Sequence, residues 1–252
     1  NISEVIGRIE SIKVEDLLER PVIEIDTENV QAILKNRVVM VTGAAGSIGS
    51  EIVRQVSDNH PQAIILLEMA ESPLHDLAVD LRRRYSDIQF IPVIADVRNK
   101  HMVEKIFEEY HPHVVFHAAA YKHVPLMEDF PTQAIMANVL GTKNVADCAI
   151  KYHTDRFVMV STDKAVNPTN VMGASKRIAE IYVQSLFLKE NKTNNQCTKF
   201  ITTRFGNVLG SNGSVVPFFK KQITEGGPVT VTHPDIIRYF MTIPEASCLV
   251  LE

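Results

Sequence analysis

The residues from Thr42 to Gly49 combine small and hydroxyl side chains at a spacing that can bind phosphate groups. They read Thr-Gly-Ala-Ala-Gly-Ser-Ile-Gly. Glycine permits a tight turn and a close backbone approach to an anion, and a following helix offers N–H groups and partial positive charge. We therefore predict that this loop holds the pyrophosphate of a dinucleotide, with a tight turn that binds no ligand as the alternative. The residues predicted to contact the dinucleotide are Thr42, Gly43, Gly46, Ser47, Ile48 and Gly49.

Two acidic positions follow the loop at spacings that suit the rest of a dinucleotide. Glu68 lies about twenty residues after the loop, where a carboxylate can bind ribose hydroxyls. The sequence places no arginine beside Glu68 to balance a 2′-phosphate, so we predict NAD rather than NADP. Asp96 and Val97 are predicted to end the third strand, beside the adenine ring. A solvated acid at Glu68 and a helix-capping aspartate at Asp96 are the competing interpretations.

A second polar cluster, Thr162-Asp163-Lys164, follows an apolar run, and residues 172–176 open the next helical segment. Polar side chains directly after a buried strand are costly unless they face a pocket. The carboxyl ends of parallel strands are also where such sheets bind ligands. Because an adjacent acid and amine can donate and accept protons, we predict a catalytic site here. An exposed loop with a surface ion pair is the alternative.

These residues require a scaffold in which strands and helices alternate. From Val38 onward, short β-branched runs alternate with helical segments, and the runs are continuously apolar. This pattern is typical of a parallel sheet covered on both faces, so we predict an α/β fold with a doubly wound, Rossmann-like sheet. The predicted strands are 38–41, 63–67, 88–93, 113–116, 157–160 and 199–203; the predicted helices are 48–56, 74–84, 101–110, 133–152 and 173–189; a surface loop is predicted over 190–196.

The same pattern divides the chain into three parts. Residues 1–36 are polar and amphipathic, and we predict an N-terminal helical linker with a short helix capped at Asp26-Thr27. Residues 37–205 are predicted to form an NAD-binding Rossmann domain. Residues 206–252, interrupted by glycine and proline, are predicted to form part of a small, truncated substrate-binding lobe.

The composition argues against several classes of function. The 252 residues carry a formal net charge of -4 and a pI near 6.2, which gives no reason to expect nucleic acid or an anionic membrane as a partner. Three widely spaced cysteines are typical of reduced thiols, and neither a signal peptide nor an apolar run of about 18 residues is present. We therefore interpret the chain as a soluble, cytoplasmic piece of a longer protein. His111, His113 and His117 have no acidic or cysteine partner nearby, so we predict no metal site.

Several long motifs resemble a known family. The first set, TGxxGxxG, Asp96-Val97, His117-Ala-Ala-Ala, Ser161 and Lys176, resembles the extended short-chain dehydrogenase/reductases. The second set, residues 117–128, 161–168 and 204–214, is similar to the nucleotide-sugar 4,6-dehydratases of polysaccharide biosynthesis. Within these, the resemblance is closest to the membrane-anchored UDP-N-acetylglucosamine 4,6-dehydratases, which act in capsular polysaccharide biosynthesis.

The resemblance implies an internal redox cycle on UDP-N-acetylglucosamine. NAD accepts the C4 hydride, water leaves across C5 and C6, and the hydride returns to C6, which yields a UDP-4-keto-6-deoxy-amino sugar. By motif position, Asp163 would protonate the departing C6 hydroxyl, Lys164 would take the C5 proton, and Thr162 would bind the C4 oxygen. Lys176 would bind the nicotinamide ribose. Ala118, Ala119 and Ala120 would contact the cofactor, and Lys122, His123, Asn207 and Arg238 would contact the sugar or its phosphates.

Met172 departs from the family pattern, which usually has a tyrosine four residues before the lysine. A thioether cannot take a proton, so we hypothesise that Asp163 or a water held by Thr162 accepts the C4 hydroxyl proton. An inactive enzyme is the alternative interpretation of this departure. A nucleotide-sugar 4-epimerase or reductase and a non-catalytic domain that binds NAD and UDP-sugar also stay open. The resemblance further implies a homodimer or higher homo-oligomer, and a parent protein anchored at the cytoplasmic face of the inner membrane.

Overall fold

The computed structural model describes residues 27–193, 198–211, 215–231, 233–235 and 239–252. The strands are β1 (Val38–Thr42), β2 (Ala63–Glu68), β3 (Gln89–Ile94), β4 (Val114–His117), β5 (Arg156–Thr162), β6 (Lys199–Phe205), β7 (Asn207–Val208) and β8 (Phe240–Met241). The helices are α1 (Thr27–Leu34), α2 (Ser47–Ser57), α3 (Glu71–Arg84), α4 (Lys100–Tyr110), α5 (Val124–Asp129), α6 (Pro131–Ala134), α7 (Thr142–Lys151), α8 (Val171–Thr193), α9 (Val215–Thr224) and α10 (Ile243–Leu251). A π-helix, Ile135–Gly141, joins α6 to α7, and a 3₁₀ turn, Asp163–Ala165, follows β5.

The first six strands form a parallel sheet in the order β3-β2-β1-β4-β5-β6. The chain therefore moves outward from β1 to β3 and then returns to the other side of β1, which creates a switch point between β1 and β4. Thr42 at the end of β1 pairs with Leu67 and His117, so three strand ends lie side by side at this point. Doubly wound sheets bind ligands at such a switch point. The predicted fold class is confirmed.

Alternate residues of β1 enter two separate hydrophobic cores. Val39 and Val41 pack in the core that includes residues of α2 and α3, and Met40 packs in the core that includes residues of α4, α7 and α8. Successive side chains of a strand point to opposite faces of the sheet. Because both faces of these strands are covered, both sets of side chains are apolar, which explains the continuous apolar runs in the sequence.

Two parts of the chain outside the predicted Rossmann range also cover the sheet. In α1, Val30 and Leu34 are buried in the same core as α2, which confirms the predicted short helix. In α10, Val250 and Leu251 enter that core as well, so the last helix of the range 206–252 packs on the sheet. The predicted cap residue Asp26, with the rest of residues 1–26, lies outside the described residues. None of the helices within the described ranges is both long and apolar enough to cross a membrane.

The structure differs from the predicted elements after β4. The single helix predicted over 133–152 is divided into α6, the π-helix and α7, and α5 precedes it without having been predicted. A π-helix has about one more residue per turn than an α-helix. The same residue types can form either helix, so the apolar pattern of this stretch did not reveal the change. The loop predicted over 190–196 is also wrong in its first part, since α8 continues to Thr193. That stretch has no glycine or proline to end the helix.

Candidate active site

Two adjoining cavities open at the carboxyl ends of the strands. The smaller, about 380 Å³, lies beside the phosphate loop and the ends of β2 and β3. The larger, about 1020 Å³, lies between the end of β5, the start of α8 and the segment that follows β6. Ala118 and Ala120 line both cavities, and Ala119 lines the smaller one, so the alanine run after β4 forms the boundary between them. A ligand that spans both cavities would pass over this run, as predicted for an extended dinucleotide.

The phosphate loop depends on two close backbone approaches. Gly43 has φ +66°, and a Cβ atom there would lie 2.8 Å from the backbone of Ala119. A Cβ atom on Gly49 would lie 2.0 Å from the carbonyl oxygen of Gly43. Gly46 is the N-cap of α2 and supplies no side-chain acceptor to the first amides of that helix, which begins at Ser47. The loop thus presents a helix N-terminus, the arrangement that binds anionic phosphate groups.

Glu68 lies at the end of β2 and lines the smaller cavity together with Gly43 and Gly46. One of its oxygens accepts hydrogen bonds from the amides of Met69 (2.9 Å) and Ala70 (3.2 Å). The other accepts a hydrogen bond of 3.3 Å from the amide of Ala45, within the phosphate loop. These bonds fix the carboxylate at the cavity wall, where the ribose contact was predicted.

Asp96 lies beyond the end of β3, because that strand stops at Ile94. Its carboxylate accepts hydrogen bonds from Nε (2.7 Å) and the backbone amide (2.9 Å) of Arg98, and the side-chain bond lowers the pKa of Asp96. The helix-capping interpretation of Asp96 is wrong, since Asn99 caps α4 by accepting a hydrogen bond from the amide of Met102. Asp96 is instead the partner that holds Arg98.

The prediction that no arginine lies beside Glu68 is also wrong. Arg98 lines the same cavity as Glu68, close to the wall formed by Asp96 and Val97. Its guanidinium is held by Asp96 and by a bond of 2.8 Å to the side-chain oxygen of Gln133. Separation in the sequence hid this neighbour, because the ends of β2 and β3 meet only in the folded sheet. Asp96 offsets the positive charge of Arg98, and the bonds to Asp96 and Gln133 occupy N–H donors that a 2′-phosphate would need.

His117 connects the phosphate loop to the π-helix through a chain of hydrogen bonds. Its Nδ1 lies 2.7 Å from the hydroxyl of Thr42, and its Nε2 lies 2.9 Å from the hydroxyl of Thr142. Because the Thr142 hydroxyl donates to the carbonyl of Asn138 (2.7 Å), it must accept from Nε2 of His117. Nδ1 then accepts from Thr42, so the ring is the neutral Nε2–H tautomer. Full burial agrees with this assignment, since it lowers the pKa of His117 to about 3.

This burial predicts a pH dependence of stability. Between pH 6.5 and pH 3 the unfolded chain binds a proton on His117 that the folded chain does not, so stability falls as the pH falls through that range. We expect wild-type protein to lose about 1.4 kcal/mol of unfolding free energy per pH unit through this residue alone. Urea unfolding measured between pH 7 and pH 5 gives the unfolding free energy at each pH. Its decrease with falling pH should be smaller for His117→Asn than for wild type. The exposed His75→Asn serves as the control, and an equal slope in His117→Asn and wild type would contradict the assignment.

The end of β5 and the 3₁₀ turn carry the predicted proton-transfer residues. Asp163 Oδ1 accepts hydrogen bonds from the hydroxyl of Thr162 (2.9 Å) and from Nζ of Lys164 (3.0 Å). Lys164 Nζ also donates to the side-chain oxygen of Asn207 over 3.2 Å. Burial opposes the charge of Asp163, but the bonds from Lys164 and Thr162 outweigh it and lower its pKa. Thr162, Lys164 and Asn207 line the larger cavity, and Asp163 lies beside them with a half-exposed side chain.

Met172 and Lys176 line the inner wall of the larger cavity on the first turns of α8. Met172 is buried and packs with Met127 and Ala134, so its thioether fills an apolar pocket. Lys176 is also buried, and its Nζ donates to the carbonyl of Val160 over 2.7 Å. Burial lowers the pKa of Lys176 to about 8. A lysine in this state can exchange a proton near neutral pH, which methionine cannot do.

The predicted substrate contacts lie on the outer part of the larger cavity. Lys122 and His123 line it after β4, and burial lowers the pKa of Lys122. The opposite wall is apolar and was not predicted; it includes Leu209, Val215, Phe218, Phe219, Val231 and Phe240. Arg238 lies outside the described residues, so its predicted phosphate contact stays a prediction.

Residues 39–252 match the family described as polysaccharide biosynthesis protein. The chain belongs to this family. It is 55% identical over 248 residues to the capsular polysaccharide biosynthesis protein CapD of Staphylococcus aureus, and 52% identical over 247 residues to the probable polysaccharide biosynthesis protein EpsC of Bacillus subtilis. These matches cover 98% of this chain but 41% and 40% of the two relatives, so the chain spans less than half of their length. The predicted resemblance to capsular polysaccharide biosynthesis proteins is confirmed.

Three further proteins are similar to this chain, and two of them are sugar-nucleotide enzymes by name. A UDP-glucose 4-epimerase of Rickettsia canadensis is 36% identical over 222 residues, which are 86% of this chain and 62% of that protein. The crystal structure of Pen from Bacillus thuringiensis has a TM-score of 0.78 at 33% identity, over 86% of this chain and 67% of that chain. The dTDP-glucose 4,6-dehydratase DesIV of Streptomyces venezuelae, solved with NAD bound, has a TM-score of 0.69 at 20% identity, over 82% of this chain and 68% of that chain. The likeness to DesIV is one of fold.

Proposed function

We propose that this chain is the catalytic part of an NAD-dependent nucleotide-sugar 4,6-dehydratase that acts on UDP-N-acetylglucosamine. The observation that carries the proposal is the contact of 3.0 Å between Lys164 Nζ and Asp163, next to Thr162 at the rim of the larger cavity. An acid and a base in contact suit the removal of water, because elimination takes a proton from carbon and gives one to oxygen. Membership of a family of polysaccharide biosynthesis proteins supports a sugar substrate.

The two cavities fit the two halves of NAD. The phosphate loop and Glu68 would hold the adenosine and pyrophosphate part in the smaller cavity, and Lys176 would hold the nicotinamide ribose in the larger one. The bound dinucleotide in the structure of DesIV, which has the same fold, supports this cofactor. When bound, NAD supplies a hydride acceptor at the sugar's C4 and returns the hydride to C6.

The Asp163–Lys164 pair supplies the proton chemistry of the elimination. Its ground state is an ion pair, with the proton on Lys164. Transfer of that proton along the existing hydrogen bond gives a neutral amine and a carboxylic acid. Lys164 then removes the C5 proton, and Asp163 protonates the C6 hydroxyl as it leaves as water. The elimination takes up one proton and releases one, so it returns the pair to its ion-pair state. When the hydride returns to C6, the Lys164 ammonium would give a proton to C5, and the proton released from the C4 hydroxyl would restore that ammonium.

The residues around the pair would orient the sugar. The Thr162 hydroxyl would bind the C4 oxygen, and Lys122 and His123 would contact the sugar or its phosphates. Met172 cannot accept the C4 hydroxyl proton, and Asp163 takes up the proton of Lys164, so a water held by Thr162 accepts the C4 proton. Asn207 holds Lys164 in the present structure, which makes it a support for the base as well as a candidate substrate contact.

The proposal is tested by incubating the protein with NAD and UDP-N-acetylglucosamine in deuterated water. We expect mass spectrometry to show a product that has lost one water and gained one deuterium, with the deuterium at C5 by NMR. Recovery of substrate with both its mass and its C4 configuration unchanged, after binding of both ligands, would refute the dehydratase and leave the non-catalytic binding domain.

A 4-epimerase is the second candidate, and the identity to the Rickettsia protein favours it. An epimerase inverts C4 and leaves the C6 oxygen in place, so the product would have the mass of the substrate. The same incubation therefore separates the two functions by mass alone. The homo-oligomer and the membrane-anchored parent protein stay predictions.

A further inference from the structure

Glu180 is a buried carboxylate that the proposed reaction does not use. It lies one helical turn after Lys176 in α8, and its side chain is fully buried. An ionised carboxylate in a protein interior is costly unless it is paired and hydrogen-bonded. The identity of its partners therefore shows what Glu180 holds in place.

Three side chains from three elements bind Glu180. The hydroxyl of Ser161, in β5, donates to Oε1 over 2.6 Å. Arg204, in β6, donates from Nε to Oε1 over 2.7 Å and from Nη2 to Oε2, and Arg177, in α8, donates to Oε2 over 3.0 Å. Burial opposes the charge, but these bonds outweigh it and hold the pKa of Glu180 below its ordinary value. The carboxylate therefore joins α8, β5 and β6 through charge-assisted hydrogen bonds.

The contact with Ser161 is next to the proton-transfer residues. Lys176 Nζ binds the carbonyl of Val160, and Glu180 binds the side chain of Ser161, the following residue. The proton-transfer residues Thr162 to Lys164, which we call the turn 162–164, follow directly after these two anchor points. These two bonds join successive turns of α8 to successive residues of β5. Together they fix the position of the strand end along α8 and its orientation relative to that helix. A shift of about 1 Å in a reacting group can cost about 100-fold in rate, so this fixing matters for turnover.

We infer that Glu180 and Ser161 are positioning residues, which hold the turn 162–164 and the ammonium of Lys176 in the arrangement that turnover requires. This inference rests on the proposed function for the reaction itself, but the arrangement can be measured without it. The Ser161 hydroxyl donates its hydrogen bond to Glu180, so the role of Ser161 is to anchor the strand.

Glu180 also sets the charge environment of Lys176. Burial lowers the pKa of Lys176, and the negative charge of Glu180 raises it in opposition. Ionisable groups near the pair include His117 in β4, which is neutral, and Arg177 and Arg204, which bind Glu180. On the cavity side, Lys122, His123 and Lys164 line the same cavity as Lys176. Removal of the carboxylate charge would leave the ammonium of Lys176 near two guanidinium groups that have lost their partner.

The test uses Glu180→Gln and Ser161→Ala in the whole chain. NMR titration of isotope-labelled lysine, with the Lys176 signal assigned by its loss in Lys176→Met, reports on Lys176 without any turnover. We expect a midpoint near pH 8 in wild type and about one pH unit lower in Glu180→Gln. For Ser161→Ala we expect the wild-type midpoint, a kcat reduced about 100-fold and an unchanged KM, with recovery in Ser161→Thr.

The control is Tyr182→Phe, which removes a different hydrogen bond of α8, from Tyr182 to Asp147 in α7. It should leave both the Lys176 midpoint and kcat unchanged. An unchanged midpoint in Glu180→Gln, or a wild-type kcat in Ser161→Ala, would overturn the inference. If Glu180→Gln does not fold, the two Ser161 variants test the inference. A reduced kcat with unchanged KM in Ser161→Ala, recovered in Ser161→Thr, would support it, and a wild-type kcat in Ser161→Ala would overturn it. A lowered midpoint in a protein that dehydrates no UDP-sugar would support the positioning role and refute the proposed function.

Discussion

Replacement of Lys164 by methionine is expected to lower kcat for dehydration by about 1000-fold while NAD still binds. Methionine retains an apolar stem of similar length but has no group that can take the C5 proton. The variant also removes the hydrogen-bond donor that holds Asp163, so the carboxylate no longer has a proton source beside it. The proposed base and the proton for the proposed acid are thus lost in one substitution. Steady-state assay of dehydrated product gives kcat, and calorimetry gives the NAD affinity.

The same variant separates the two chemical stages. Oxidation at C4 does not need Lys164 in the proposed mechanism, so the variant should accumulate reduced cofactor, seen in its near-ultraviolet absorbance. Lys221→Met is the matched control, because Lys221 is exposed on α9 and forms a distant ion pair with Glu225 at 3.8 Å. A Lys164→Met protein that dehydrates the sugar at the wild-type rate would exclude Lys164 as the base.

The fold could be predicted because the sequence pattern and the tertiary structure agree. The strands β1 and β2 are covered on both faces, so their sequences are apolar up to the last residue of each and differ from the amphipathic helices between them. The π-helix could not be predicted from local sequence, and two of its residues make close tertiary contacts. Asn138 exchanges hydrogen bonds with the backbone of Tyr121, and Gly141 faces Val97 so closely that a Cβ atom would lie 2.7 Å from Val97 Cγ2. Neither contact has a local signature.

The candidate site was predictable where its residues follow strand ends. Thr162 and Lys164 were found in this way, since parallel strands bring their carboxyl ends to one edge of the sheet. Arg98 was missed because it follows β3, and it lies on the same cavity as Glu68 only in the folded sheet. Glu180 was missed because its partner Arg204 is 24 residues distant, in another strand. One signal was available: a glutamate one turn after Lys176 on a helix face that must be buried needs a cationic partner.

Replacement of Gly49 by alanine is expected to weaken NAD binding about 100-fold. Alanine normally stabilises a helix by about 1 kcal/mol relative to glycine, so helix propensity favours the variant. The steric effect has the opposite sign, because the new Cβ atom would lie 2.0 Å from the carbonyl oxygen of Gly43. Relief of that clash moves Gly43 away from α2, and restoring the binding geometry costs about 3 kcal/mol of overpacking. Since the clash is with backbone, no side-chain rotation can remove it.

The position next to Gly49 supplies the control for this effect. Ser50→Ala places alanine one residue later on the same helix and adds no Cβ atom, since serine already has one. It removes two long hydrogen bonds within the helix, one of 3.4 Å to the carbonyl of Ser47 and one of 3.5 Å from Nη1 of Arg54, so NAD should bind as in wild type. Calorimetry of cofactor-stripped protein gives both affinities, and circular dichroism confirms that each variant is folded. Wild-type affinity in a folded Gly49→Ala protein would mean that the pyrophosphate binds elsewhere, because a loop opened by that clash cannot keep its amides on an anion.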